Sequence, residues 1–523
     1  MKILLFSMPD GTHPLYPRFC RPPNLGLASL AGSVKEEADV FVADLILRRK
    51  NVPAAVREAL ESVRPDLVGL SCMTFQYATA TKIARLVRAW NPEAPIVLGG
   101  YHATIMHEEI AREGARLFDF VCRGESENTF LELVRAWKAG KRRFEDVLGL
   151  SWRDGSSFRH NPGRPLAQLA DIAPPDRRSR LWSGYHIHGM GFDTAETSRG
   201  CTLPCNFCSI TQMYGRSFRA YPLGRVLDDL DAAGRLGAKE IFLTDDNITL
   251  VPGHLEDLCR GLIERGTRKR VFLSTQASVA GLGRDLRVVE RMAEAGFNLV
   301  FLGIENVSRR NLLAYKKGDI SPMTREVIAE LRRNRIMVMG GFILGSPDDD
   351  AEDLLEQFRF MEVEPLDAYL VQILTPYPKV AMTAQLESLG LVTSQDMRRY
   401  SGHFANVRTK HLSSKELDFL RWKHFPYYRS IRWFRDAVGP RMFPWAVAVE
   451  ALFRIAEGLL EMARKRLFSE EYAFLKYMEK HISANLFFGE TPDVRWPDVD
   501  KASAPISPAR EPALTVPEAS DAP

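Results

Sequence analysis

The chain has 523 residues, 45% of them hydrophobic and 26% charged, with a formal net charge of +4. That is an ordinary composition for a globular protein of several domains, and the weak positive balance, with no long Lys/Arg run, argues against a nucleic-acid partner. Seven cysteines, three of them crowded into eight positions, are not a secreted disulfide framework; in a cytoplasmic chain such crowding points to a metal or to catalysis.

Residues 1–140 alternate short apolar runs with amphipathic segments. Strands are expected at Lys2–Phe6, Val40–Asp44, Leu67–Cys72, Ile96–Gly99 and Phe118–Cys122, with helical periodicity between them, as in Ala80–Trp90. The apolar N-terminus is too short for a secretory leader and reads as a buried first strand. Five strand–helix units of this kind suit a Rossmann-like, doubly wound parallel sheet. Residues 141–190 break the pattern: Leu148–Gly155 reads as a strand entering an Asp-Gly hairpin, and Asn161–Pro165 and Ala173–Asp176 are linker punctuation.

The alternation returns over 191–390. Strands are expected at Thr194–Ser198, Glu240–Thr244, Val271–Thr275, Leu299–Gly303, Val338–Leu344 and Tyr369–Leu374, with helices such as Leu223–Leu236 and Leu286–Ala295 between them. Six such units make a partial (β/α)6 barrel, whose chemistry belongs at the C-terminal strand ends. Residues 391–500 read as a mainly helical, aromatic-rich C-terminal region, and 501–523 as a disordered Pro/Ala/Ser tail. Within the helical region Phe443–Phe468 fits a helix packed on the barrel. Its apolar face and basic flank also fit peripheral contact with a membrane surface, so the chain reads as cytoplasmic with a membrane-associated alternative.

The central motif is Ser198-Arg199-Gly200-Cys201-Thr202-Leu203-Pro204-Cys205-Asn206-Phe207-Cys208, directly after an expected strand. Three thiolates at these spacings can wrap a compact iron–sulfur cluster and leave one iron open. A Cys₃His zinc site using His186 or His188, or three unligated core cysteines, are the competing readings.

The motif resembles that of the radical S-adenosylmethionine (SAM) superfamily, whose hallmark is C-x₃-C-x-aromatic-C after the first barrel strand. The resemblance implies that Cys201, Cys205 and Cys208 hold a 4Fe–4S cluster. It implies that the amino and carboxylate groups of SAM chelate the open iron, that one electron cleaves SAM to methionine and a deoxyadenosyl radical, and that Phe207 lies near the adenine. A flavodoxin or ferredoxin is implied as electron donor. Other strand ends fit the same site. Asp245 and Asp246, in Phe242-Leu243-Thr244-Asp245-Asp246-Asn247, stand where many members have Gly-Gly-Glu for the SAM ammonium, although Asp-Asp-Asn also reads as a turn and helix cap. Glu305 could reach the ribose. Gly341 and Gly345 belong to the G-x-I-x-G-x-P element that packs near adenine. The loop Thr375-Pro376-Tyr377-Pro378-Lys379 departs from the family's usual Pro-Gly-Thr continuation.

Residues 1–140 resemble the cobalamin-binding domain that precedes this barrel in one large subgroup. The resemblance rests on Pro23–Gly32, Val68–Thr74, Val97–Thr104 and Cys122–Glu127, and it places Ser71, Thr74, Gly99, Gly100, His102, Gly124 and Glu125 at the cofactor. The D-x-H-x-x-G element of some cobalamin proteins is approximated by Asp10-Gly11-Thr12-His13, but the spacing is wrong, so no histidine ligand to cobalt is expected from that loop. A domain that kept this fold and lost the cofactor is the alternative.

Together these resemblances imply a cobalamin-dependent radical SAM methyltransferase acting on an unactivated carbon of a small molecule. Tetrapyrroles, lipid-like molecules and natural-product scaffolds all remain open, and no catalytic side chain is singled out. The alternatives are a non-methylating member, such as an oxidative cyclase of tetrapyrrole biosynthesis, and a cobalamin and cluster sensor without turnover.

Overall fold

The computed structural model describes residues 1–11, 20–113, 116–187, 189–425 and 469–498, with Ala456, Leu460 and Ala463 as isolated helical positions. Thr12 and His13, His188, nearly all of Phe443–Phe468 and the tail from 501 lie outside the described residues.

Two sheets organise the chain. In the first, five parallel strands run in the order Asp39–Asp44, Lys2–Ser7, Leu67–Ser71, Ile96–Gly99 and Phe120–Cys122. By chain sequence this is 2-1-3-4-5, the doubly wound order whose switch point lies between the first and third strands. The strands are buried on both faces, which is why they read as continuous apolar runs. Helices Leu25–Val34, Val52–Val63, Tyr77–Trp90 and Glu127–Lys138 cover them. The hairpin expected at Leu148–Gly155 forms as Leu150–Asp154 and Ser157–His160. It joins this sheet antiparallel to Phe120–Cys122, so its backbone groups are paired by the sheet.

The second sheet has a parallel core of six strands in chain order: Met190–Ala195, Glu240–Leu243, Phe272–Ser278, Phe297–Glu305, Met337–Leu344 and Ala368–Ile373. The sheet does not close. Past Met190–Ala195 it continues antiparallel through His186–Ile187 to Cys20–Arg21, so a segment from the first domain forms its last strand. The first barrel strand ends at Ala195, three residues before the expected Ser198. Ser198–Arg199 instead forms a separate two-stranded ladder with Arg219–Ala220.

The C-terminal helices Ser414–His424 and Glu470–Ser483 share an aromatic core of Trp422, Phe474 and Trp496. Beyond the second helix the chain returns to the first sheet, where Phe487 and Phe488 pack on its core. Among the described residues no helix is long and apolar enough to cross a membrane.

Candidate functional site

The cysteine loop leaves the Ser198–Arg199 ladder through Gly200. Its φ is +90°, and a Cβ there would meet the Ser217 carbonyl oxygen at 2.4 Å, so only glycine makes this turn. Asn206 anchors the loop to the barrel rim. Its N–H donates to the Tyr315 carbonyl (3.1 Å), its side-chain amide to the Ala314 carbonyl (2.9 Å), and its carbonyl accepts from Met382 N–H (3.0 Å). Cys201, Cys205 and Cys208 are free and partly exposed. Burial pushes all three thiols up, Cys208 to about 12, and each of Cys201 and Cys205 raises Cys208 further.

The donor set fits a cubane better than a single ion. The other four cysteines are buried elsewhere in the fold, so the loop offers three thiolates, each of which can take a different iron of a 4Fe–4S cluster, whereas a structural zinc ion closes its shell with four protein ligands. His186 is engaged in a strand pair with Gly191 and beside the Gly184 carbonyl.

Lys317, which sequence reasoning missed, stands beside these thiols. Its Nζ is 2.7 Å from Glu305 Oε1, and both side chains are largely buried. Burial lowers the Lys317 pKa, but Glu305 and then Cys205 outweigh it and the net shift is upward. Glu305 holds a left-handed φ of +65° at a register shift in its strand, a strain that non-glycine residues adopt rarely and mostly at functional sites. Its carboxylate is therefore aimed inward and already paired.

The two aspartates separate. Asp245 is fully buried and accepts from Thr197 N–H (3.1 Å), Thr197 Oγ1 (2.6 Å) and Ser198 Oγ. Burial raises its carboxyl to about 6. It supports the start of the cysteine loop. Asp246 is half-buried, takes the Gly200 N–H at 2.8 Å with one oxygen, and remains at the site.

Phe207 is half-buried with its ring edge-on to Tyr315, centroids 5.2 Å apart. Gly341 and Gly345 do not present open backbone. A Cβ on Gly341 would strike the Phe301 ring at 2.6 Å, and one on Gly345 would meet Leu417 at 3.2 Å. Both glycines accommodate protein neighbours where a Cβ would sit.

At the C-terminal edge of the first sheet, Gly100 (φ +91°) would place a Cβ 2.9 Å from the Cys72 carbonyl oxygen and 3.0 Å from Ser71 Oγ, while Gly99 and Gly124 face open space. Thr74 is buried in the turn after Leu67–Ser71. His102 is buried, its ring 4.4 Å from Tyr77 centroid to centroid, its Nδ1 without a partner, and burial lowers its pKa to about 4. Open glycines beside an orphaned, neutral imidazole fit a large ligand lying across this edge. Glu125 has its oxygens held by Arg219 at 2.7 and 2.8 Å and by Ala167 N–H at 3.0 Å.

The two sites adjoin. Tyr101 follows the Gly100 turn and opens the helix Tyr101–Ile105, which packs against Ile210–Tyr214 just past Cys208; its hydroxyl stands beside Ser209 without a hydrogen bond of ordinary geometry. Tyr101 lies inside the Val97–Thr104 element without being singled out there, and Lys317 carries no sequence signal: each sits in a short loop or helix whose direction only the fold sets.

A parallel open sheet with a three-cysteine loop, preceded by a doubly wound domain with a glycine-lined edge, defines a two-cofactor enzyme class. Residues 21–134 match the B12 binding domain family and residues 195–361 the Radical SAM superfamily. An uncharacterised methyltransferase of Pyrococcus horikoshii is 30% identical over 409 residues, 78% of this chain and 88% of the relative. The anaerobic magnesium-protoporphyrin IX monomethyl ester cyclase of Cereibacter sphaeroides is 26% identical over 365 residues, 69% of this chain and 59% of the cyclase. In fold, the chain is similar to the radical SAM methyltransferase TsrM of Kitasatospora setae, solved with cobalamin and a [4Fe-4S] cluster (TM-score 0.61, 19% identity, 75% of this chain and 79% of that one). The chain belongs to the radical SAM superfamily, in the group that carries a B12-binding domain, and is a cobalamin-dependent radical SAM enzyme.

Proposed function

We propose that the protein transfers a methyl group to an unactivated carbon of a small molecule bound between the cysteine loop and the glycine-lined edge of the first sheet. The observation that carries this is the placement of Tyr101: one residue after Gly100, it opens a helix, Tyr101–Ile105, that packs against Ile210–Tyr214, the helix that follows Cys208. A substrate there touches both cofactor sites at once.

Cys201, Cys205 and Cys208 would hold the cluster, and Ser71, Thr74, Gly99, Gly100 and His102 would line the cobalamin site. When bound, the cluster supplies the electron that cleaves SAM and cobalamin carries the methyl group. Asp246 offers a carboxylate oxygen to the SAM ammonium. Lys317 puts a positive charge beside the thiolates and holds the Glu305 carboxylate, which would reach a ribose hydroxyl. Phe207 gives an apolar face to the adenine. Tyr101 and Tyr377 close the space between the two sites against water. A small-protein electron donor is part of the proposal.

The test is anaerobic reconstitution with iron, sulfide and hydroxocobalamin, followed by metal counting and reaction with methyl-labelled SAM. About four irons and one cobalt per chain are expected, with label passing to product when extracts containing the substrate are supplied. Replacing the three cysteines with Ala should abolish cluster absorbance and deoxyadenosine formation. Deoxyadenosine from that variant sinks the mechanism; four irons without cobalt sinks methyl transfer, and deoxyadenosine formed with no label in any product favours the cyclase-like chemistry of the Cereibacter relative.

A further inference from the structure

Five charged side chains meet where the first sheet touches the cysteine loop. Arg199, two residues before Cys201, donates from Nη2 to Glu127 Oε1 (2.7 Å) and to Glu196 Oε1 (2.7 Å), and from Nη1 to Glu125 Oε1 (3.3 Å). Arg219, paired with Arg199 across the short ladder, holds both oxygens of Glu125. Glu127 also accepts from Ser29 Oγ (2.9 Å) on the first helix, and Tyr221 donates to Glu196 (2.6 Å). The Arg199, Glu125 and Glu127 side chains are 8%, 5% and 8% exposed.

Glu125 and Glu127 follow the strand Phe120–Cys122, whereas Arg199 and Arg219 belong to the barrel half of the chain. Exposed ion pairs tolerate several geometries; a buried guanidinium with three carboxylates around it does not, because each misplaced charge is left without water or partner. The peptide after Arg199 donates Gly200 N–H to Asp246, so the same rigid stretch continues into the cysteine loop.

We infer that Arg199 is a positioning residue: gripped by Glu125 and Glu127, it sets the separation and tilt between the cysteine loop and the glycine-lined edge of the first sheet. The inference rests on the proposed function, in which that edge carries cobalamin. The clasp then matters because a group passed between two sites needs a fixed gap, and a shift of about 1 Å can cost on the order of a hundredfold in rate.

The experiment compares the wild type with Glu127→Gln and with the paired replacement Arg199→Met plus Glu127→Met. The pair removes both charges of that contact together, with Glu125 still held by Arg219 and Glu196 by the Tyr221 hydroxyl, and so guards against simple misfolding of the first variant. Each protein is reconstituted with iron, sulfide and hydroxocobalamin, and iron and cobalt are counted. The distance between cob(II)alamin and the reduced cluster is read by pulsed dipolar spectroscopy. Amide hydrogen exchange over residues 200–209 is followed in parallel. The expected result is full loading of both metals in every protein, one narrow distance in the wild type, and a broadened or displaced distance in both variants. Exchange in the loop should quicken about tenfold, the scale of one charge-assisted bond. Wild-type distance and exchange in variants that hold both cofactors overturn the clasp. If the wild type takes iron but no cobalt, the proposed function falls on that count alone, and the exchange arm still decides: unchanged protection overturns the clasp, and faster exchange retains Arg199 as the residue that positions the loop.

Discussion

Two adjacent aspartates, alike in the sequence, have different work because one faces in and the other out. Asp245 is fully buried beneath Thr197 and Ser198, whereas Asp246 is half-buried with one oxygen on Gly200 N–H. Asp246→Ala is therefore expected to weaken SAM binding about tenfold or more, the loss of one charge-assisted hydrogen bond, with iron content unchanged in an equilibrium binding assay. Asp245→Ala should instead reduce iron retention, since it frees the start of the cysteine loop. Equal effects of the two on SAM affinity would contradict this division. Lys317 is the other decisive side chain. Lys317→Met leaves Glu305 buried without its partner and should cost about 3–5 kcal/mol, as breaking buried pairs does. The shift in urea midpoint checks it, and an unchanged midpoint would place the pair's charges in water. The sequence singles out the cysteines by their spacing and Asp246 by its strand end. It could not carry Lys317, because nothing in Tyr315-Lys316-Lys317-Gly318 says which lysine turns inward.

Each site depends on one turn that only glycine makes. Gly100 brings its chain against Cys72 and Ser71, and Gly200 brings its own against Ser217. Gly100→Ala and Gly200→Ala should each strain a positive φ and force backbone apart. The first variant is expected to lose cobalt while keeping iron, and the second to lose iron while keeping cobalt. Metal analysis after one reconstitution reads both, and joint loss of the two metals from either variant would show that the turns do not act locally. The strands themselves were legible: five of the first sheet and six of the second fall within a few residues of where apolar runs place them. The exception is informative. The run Thr194–Ser198 reads as one strand, yet the ladder leaves at Ala195, because Asp245 captures Thr197 and Ser198 and turns the chain into the cysteine loop. Gly341 and Gly345 were legible as special positions. What presses on them was not, since Phe301 and Leu417 come from distant parts of the chain.

Across the two sheets, the order of domains could be read from the alternation of elements, but the way they lock could not. The Cys20–Arg21 strand completes the second sheet, and the C-terminal segment returns to the first. There Asn485 pairs with Gly11 in both directions, and Arg49 donates to the carbonyls of Pro9 (2.7 Å) and Ala484 (2.6 Å). This closure seals Asp10, at the switch point of the first sheet. Asp10 is buried, accepts from Thr79 Oγ1 at 2.8 Å with one oxygen, and leaves the other without a partner. Burial raises its carboxyl from 3.8 to about 7, against the weaker pull of Thr79 and Arg49. The folded chain therefore holds a proton that the unfolded chain has released. The stability this contributes is complete below the unfolded value and is lost as pH rises through the folded one. Between pH 5 and pH 8 the wild type should become easier to unfold. Asp10→Asn keeps the shape and carries no charge at either pH, so its urea midpoint should fall less across that interval and exceed the wild type's at pH 8. The same decline in both proteins would mean that Asp10 reaches water and that the C-terminal segment does not seal the edge of the first sheet.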